Sequence, residues 1–507
     1  MRAFDAVKIR SGNRGPARQT LEGRRLDQAP AVVYLSGMDT ILASLKDGLD
    51  AFFSFKAYVI LPVFMFILAL IARMRLKESL LAALRVGAGF AGVFLTFNFF
   101  VSLIGPAVRS MIEVRGLDFP VVDVGWPPLA AITWSSSLAA LSIPLVIALN
   151  IAMLLTGTTR VLYVDIWNYW HFALIGALIQ AVTGNTIFAV AAILAIAAYT
   201  IKTADWSVPY VERETGYKGI AVSPVSVVGF LPYAALMDAA FDRIPLIRRL
   251  NWNPSAPAKS AGAAAGGKKG REAVRLLQEP MTIGIGVGLC LSLLAGYGIK
   301  DTLEMAVNVA AVMFILPRCG GLIGEGMGKI SAAFKDMVEK RFTKVKGLSI
   351  AMDTGFLLTN PSVVATGLIL MPLSIFIAFI LPGNRLIPLG DLPNLISVMA
   401  VIVIVMRGNV VRAVIAGLPI AATFMLIASR MAPLYTELSA ETGLAVVEAG
   451  QTITAFTDGG NQIRFWLFHL FQGNLAAILV LPALGAALWF SWRAHLKTRK
   501  EIAEKNA

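Results

Sequence analysis

Eleven apolar stretches run along this chain, at about 58–72, 86–106, 131–155, 169–184, 186–201, 282–298, 303–316, 361–382, 394–406, 411–431 and 474–493. About 20 apolar residues span the hydrocarbon of a bilayer as a helix. Only structures that satisfy their own backbone hydrogen bonds survive there. The pattern therefore predicts an all-α polytopic membrane protein with about 11 transmembrane helices, the shortest stretches being marginal as full spans. Composition points the same way: 57% of the chain is hydrophobic and 15% charged, against roughly 25% charged in soluble domains. The net charge of +14 would suggest nucleic acid in a soluble protein. In a membrane protein it reflects Lys- and Arg-rich cytoplasmic loops, so no nucleic-acid partner is expected. Cys290 and Cys319 lack C-x-x-C spacing and there are three histidines, so neither a disulfide framework nor a metal site is indicated. No cofactor is expected, and the absence of a Walker A pattern argues against ATP-driven transport by this chain.

Charge and small-residue runs divide the chain. Residues 1–37 are polar and basic and read as a disordered tail; Met38 offers an alternative start that would leave it untranslated. A first membrane repeat is expected over 38–252. Residues 253–272, rich in Ala, Gly, Pro and Lys, read as a flexible cytoplasmic linker. A second membrane repeat follows over 273–495, and 496–507 form a cytoplasmic tail. The Pro-interrupted stretch 219–241 reads as a re-entrant hairpin. The two halves resemble each other. VVDVGW at 121–126 matches AMDTGF at 351–356, and each copy later ends in an acid, Asp165 in VDIWN and Asp391 in LGDLPN. Arg73, Arg75 and Lys77 follow the first span of one copy, whereas the matching loop of the other has only Lys300 beside Asp301. The positive-inside rule then makes the repeat inverted, an architecture of transporters with midplane sites. A basic tail on the far side conflicts with this assignment unless it is untranslated or residues 30–55 add a membrane element.

Ionisable residues at membrane depth are functional suspects. Asp123, Asp165, Asp353 and Asp391 each sit in a Gly, Pro or aromatic break, where an aspartate can bind a solute or simply cap a helix. Asp165, Asn168 and His171 fall at i, i+3 and i+6, loosely along one helical face. With three neighbouring aromatics they suit a polyol or sugar, although tryptophans also gather in interfacial belts. Trp126, the Trp134–Ser137 run and Asn360 follow the two Asp-x-Gly elements and serve either as solute contacts or as caps. Arg407-Gly-Asn409 reads as a loop charge, and Asp458-Gly-Gly-Asn-Gln462 as a turn before the last span.

VVDVGWPPLAAITW, ALNIAMLLTGTTRVLYVDIWNYWHFALIGAL, PGN…PLGDL and RGN together resemble the membrane IIC subunit of galactitol phosphotransferase systems, in the ascorbate–galactitol superfamily of bacterial sugar permeases. The resemblance covers about 50–495. It implies a homodimer in the bacterial inner membrane, with a sugar-binding core domain and a V-shaped scaffold domain. It also implies transport of a galactitol-like polyol coupled to phosphorylation by a cytosolic IIB protein, itself charged by IIA, so that the phosphoryl donor is not on this chain. By the same resemblance Asp353 is the substrate-contacting, catalytic aspartate. Asp123, Trp126, Asp165, Asn168, His171, Asn360 and Asp391 are expected in the substrate site. Departures exist: Ser223-Pro-Val-Ser226 and Thr359-Asn360-Pro361 stand where galactitol members carry histidine-containing stretches. A related hexitol, pentitol or tetritol is therefore equally compatible. The competing class is an ion-coupled secondary transporter using the intramembrane aspartates as ion ligands.

Overall fold

The protein is described by a computed structural model covering residues 57–115, 119–255, 280–341, 347–358, 360–441 and 452–506. The basic tail and most of the linker lie outside these residues. Helices dominate, and each of the eleven apolar stretches falls largely on helix. Six stretches among the described residues are long and apolar enough to cross a membrane: Ser137–Leu155, Thr186–Thr215, Val225–Arg243, Pro361–Ile380, Val410–Ala440 and Leu475–Glu504.

One group of helices comprises α1 (Ala57–Ile71), α2 (Leu76–Arg115), α10 (Pro280–Ala295) and α11 (Ile299–Arg341), with the intervening labels given to the segments between them. Glycines set how closely these helices approach, the usual device where lipid offers no hydrophobic drive to associate. A Cβ on Gly326 would lie 2.5 Å from the Ala82 carbonyl of α2, and one on Gly288 would lie 2.5 Å from Ala306 Cα. Met65, Ala69, Ala82, Val86, Phe90, Ile323 and Ile330 fill the contact between α1, α2 and α11.

The remaining elements surround two small sheets. From the first half of the chain come β1 (Val121–Asp123), α3 (Pro127–Ser135), α4 (Ser137–Leu155), β2 (Val161–Leu162), α5 (Trp170–Thr183), α6 (Thr186–Thr215), β3 (Ile220–Val222), α7 (Val225–Val228), α8 (Leu231–Arg243) and α9 (Pro245–Arg249). From the second half come β4 (Ser349–Met352), α12 (Pro361–Ile380), β5 (Leu386–Ile387), α13 (Leu395–Val405) and α14 (Val410–Glu441). β6 (Thr452–Thr454), α15 (Phe456–Gly459), α16 (Gln462–Phe471), α17 (Leu475–Leu479) and α18 (Leu481–Asn506) complete the chain. α13 is apolar and buried all round, as a helix at the centre of a bundle must be. Side chains close the exposed helix starts: Ser136 caps α4, Asn185 caps α6 and Asn360 caps α12.

An all-α reading omits the strands, and they have a clear physical origin. Where Gly and Pro interrupt the chain inside an apolar bundle, the freed N–H and C=O groups must still find partners. They pair with one another. β1 lies between β5 and β6, and β4 between β2 and β3, all parallel. Each central strand thus comes from one half of the chain and both of its neighbours from the other. Within the 219–241 stretch, β3 leads through Pro224 into α7 and α8.

Candidate functional site

β4 delivers Asp353 at the point where the chain leaves its sheet. The carboxylate turns back on its own backbone, with Oδ1 accepting from Gly355 N at 3.2 Å and from the Thr354 hydroxyl at 3.3 Å. This shapes the short 3₁₀ turn Thr354–Phe356. Its other oxygen accepts from Asn168 Nδ2 at 3.0 Å. The same amide nitrogen donates to Asp165 Oδ2 at 2.7 Å. An amide has two N–H donors, so Asn168 can serve both carboxylates at once. Ser223, just past β3, donates its hydroxyl to the same Asp165 oxygen, and the Tyr163 hydroxyl donates to the Ser223 carbonyl. Ser223 N in turn donates to the Met352 carbonyl at 2.9 Å. The segments following the three strands of one sheet are therefore tied into one polar cluster.

Capping does not use up this cluster: among the described residues neither Asp165 nor Asp353 is ion-paired, and Asp165 Oδ1 is buried without a hydrogen-bond partner, as is Asp391 Oδ1 in the other sheet. A buried acceptor left open is costly unless a water or solute hydroxyl fills it. Asp353 is also the one member of the four candidate aspartates that is not fully buried. The turn it caps opens onto a cavity of about 680 Å³, lined by Gly355 and Phe356 on one side and by Gly321, Gly324 and Gly328 of α11 on the other.

The second sheet is built differently. Asp123, at the end of β1, accepts four backbone N–H groups: Gly125 at 3.1 Å and Phe456 at 3.0 Å on Oδ1, Leu389 at 2.8 Å and Asp391 at 3.1 Å on Oδ2. It thereby clamps the segments after β5 and β6 to β1. Asp391 accepts from Thr457 N at 2.9 Å, from the Thr457 hydroxyl and from Asp458 N at 3.2 Å. Asp123 is thus spent on backbone through both oxygens, whereas Asp391 uses Oδ2 alone and leaves Oδ1 open. Asn360 likewise caps α12 through Ser362 N at 2.9 Å and Val363 N at 3.2 Å.

The expected face of Asp165, Asn168 and His171 divides. Residues 166–169 form a 3₁₀ turn before α5 begins at Trp170, and the change of pitch sends His171 elsewhere. There Arg464 Nη1 donates to His171 Nδ1 at 3.2 Å, and Arg464 Nη2 lies 3.1 Å from Asp458 Oδ1. Trp170 stacks on His171 with ring centroids 3.9 Å apart and meets Trp126 at 6.2 Å. Arg464 is 2% exposed. Sequence reading missed it and took its partner Asp458 only as part of a turn. The available signal was an arginine inside the apolar, aromatic run QIRFWLFH, which at membrane depth needs a carboxylate.

Residues 51–450 match the family model EIIC-GAT, described as "PTS system sugar-specific permease component". The chain is also 33% identical over 437 residues to the "PTS system galactitol-specific EIIC component" of Escherichia coli (strain K12), covering 86% of this chain and 93% of that protein. The counterpart in Escherichia coli O157:H7 gives the same identity and coverage.

Proposed function

The chain belongs to the EIIC-GAT family of phosphotransferase-system sugar permeases, and from that premise we propose that it carries a galactitol-like polyol across the membrane for phosphorylation by a cytosolic IIB protein, itself recharged by IIA. Membership makes it an integral, multi-pass protein of the bacterial inner membrane, in keeping with its six membrane-length apolar helices. The observation that carries the polyol reading is the Asp165–Asn168–Asp353 cluster, with an open oxygen on Asp165 and, next to Asp353, a turn whose Gly355 and Phe356 line a cavity. Vicinal hydroxyls of a polyol donate to such paired acceptors, and no fixed charge on the substrate is required.

In this proposal Asp353 holds the substrate hydroxyl and takes its proton. The hydroxyl oxygen bonds to phosphorus while the bond from phosphorus to the IIB cysteine sulfur breaks, leaving a polyol phosphate, the cysteine as a thiolate and the proton on Asp353. Such transfers depend mainly on positioning and charge stabilisation. Asp165 and Asn168 orient the substrate, Trp126, His171 and Asn360 frame the site from further out, and Asp123 and Asp391 brace the opposite sheet. The reciprocal strand pairing supports reading the chain as an inverted repeat over 38–252 and 273–495. In that reading the sheets and their helices form the core domain, and α1, α2, α10 and α11 form the scaffold through which two copies associate.

The test is uptake of labelled polyols into vesicles containing the protein, with and without phosphorylated IIB. Accumulation that requires phospho-IIB and yields a phosphorylated product is expected. Accumulation of unmodified polyol on a proton or Na⁺ gradient alone overturns the proposal in favour of an ion-coupled transporter.

A further inference from the structure

A separate cavity, of about 720 Å³, lies between α8, the 405–412 segment and the C-terminal half of α18, and its lining is strongly cationic. Six basic side chains face it against three acidic ones. The acids are already engaged: Asp238 and Asp242 both pair with Arg412, at 3.0 and 2.9 Å, and Glu501 pairs with Arg407 at 3.3 Å. Arg213 is held by Glu214 at 2.7 Å and by the carbonyls of Ile404 and Val405. That leaves Arg248, Arg493 and Lys497, for which no described carboxylate forms an ion pair. Arg493 and Lys497 stand one turn apart on the same face of α18. The Arg493 guanidinium lies over the Trp489 ring at 5.3 Å.

The rim is built rather than loose. Arg407 and Gly408 both have left-handed backbone, with φ of 57° and 72°, a conformation costly for the arginine. Asn253 Nδ2 donates to the Arg407 carbonyl at 2.8 Å, and Asn409 Nδ2 donates to the Leu250 carbonyl at 2.9 Å. Two residues on, the Ser255 hydroxyl donates to Asn360 Oδ1 at 2.7 Å, so the rim is joined to the start of α12, seven residues past Asp353. The linker that leaves from Ser255 is basic, which places this mouth on the cytoplasmic side.

We propose that this cavity binds a phosphate group, on either a polyol phosphate leaving toward the cytoplasm or an anionic lipid headgroup. A cluster of guanidinium and ammonium groups with a surplus of positive charge fits that chemistry. A neutral polyol gains nothing from it. The choice of polyol phosphate as a probe rests on the transport reading above, whereas the binding itself needs neither IIB nor turnover.

The full chain in phosphatidylcholine nanodiscs would be titrated with inorganic phosphate and with a hexitol phosphate, and separately reconstituted with phosphatidylglycerol, whose retention is followed by native mass spectrometry. Saturable binding of a phosphate-bearing probe is expected, weakened at least tenfold in Arg493→Gln/Lys497→Gln and unchanged in Lys300→Gln. These three residues are exposed, so folding should survive. Binding of the hexitol phosphate identifies the transported product, and selective retention of phosphatidylglycerol identifies a lipid. Displacement by unphosphorylated hexitol, equal binding by the double variant, or no binding of any phosphate probe overturns the proposal.

Discussion

Replacing Asp123 and Asp353 in turn by Asn separates a brace from a working carboxylate, because the two hydrogen-bond sets differ in a countable way. Each oxygen of Asp123 accepts two backbone N–H groups. An asparagine must put its NH₂ where one of those oxygens was, and in either orientation two bonds become donor–donor contacts. Hydrogen bonds to a charged acceptor contribute about 1.5–3 kcal/mol each, so Asp123→Asn should cost about 3–6 kcal/mol. That is a large part of the stability of an ordinary domain. In Asp353→Asn the side-chain oxygen keeps Gly355 N and Thr354, and only the Asn168 bond is lost. The site is partly open, and removing one of two neighbouring negative charges relieves repulsion with Asp165, so the net cost should be about 1–2 kcal/mol. Fluorescence-detected size exclusion and thermal melts in one detergent read the difference. Asp123→Asn should give several-fold less folded protein and a clearly lower melting temperature, with Asp353→Asn close to the native chain. Phosphorylating uptake per folded molecule should fall roughly 10²–10⁴-fold in Asp353→Asn, the usual contribution of a positioned base, and much less in Asp123→Asn. Equal destabilisation at both positions, or full activity in Asp353→Asn, would refute the reasoning.

Three further outcomes follow from particular contacts. Gly390→Ala places a Cβ 2.4 Å from the Asp123 carbonyl and 2.8 Å from Gly125 N, both backbone, so folded yield should drop as the β1–β5 pairing opens. Arg464→Met strands Asp458 as a buried charge and should cost about 3–5 kcal/mol; the Arg464→Met/Asp458→Asn double variant should recover part of the lost melting temperature, and no recovery would remove the ion pair as the cause. Deleting residues 260–268 of the linker should leave uptake within about twofold, since loop closure depends weakly on length; abolished uptake in a folded, inserted protein would mean that the segment has a binding role.

Much of the architecture was legible in the chain. Apolar length fixed which segments become helices, because a bilayer permits little else, and paired Asp-x-Gly breaks marked where the helices are interrupted. The resemblance of VVDVGW, VDIWN and PLGDL to known permeases pointed to the family to which the chain belongs. What the chain could not state is which breaks meet. Asp165 and Asp353 stand far apart in sequence, and only the parallel pairing of β2, β3 and β4 brings one amide, Asn168, between them. The four aspartates looked alike in sequence, yet tertiary structure saturates Asp123 with backbone donors and leaves Asp353 half-buried at the start of a turn that lines a cavity. His171 was separated from Asn168 by a change of helical pitch too local for residue spacing to reveal. Arg464 became visible only with its carboxylate and imidazole partners in place. Sequence periodicity reports burial on a single element, whereas the partners of a buried polar group are set by long-range strand register and helix packing, which no local pattern encodes.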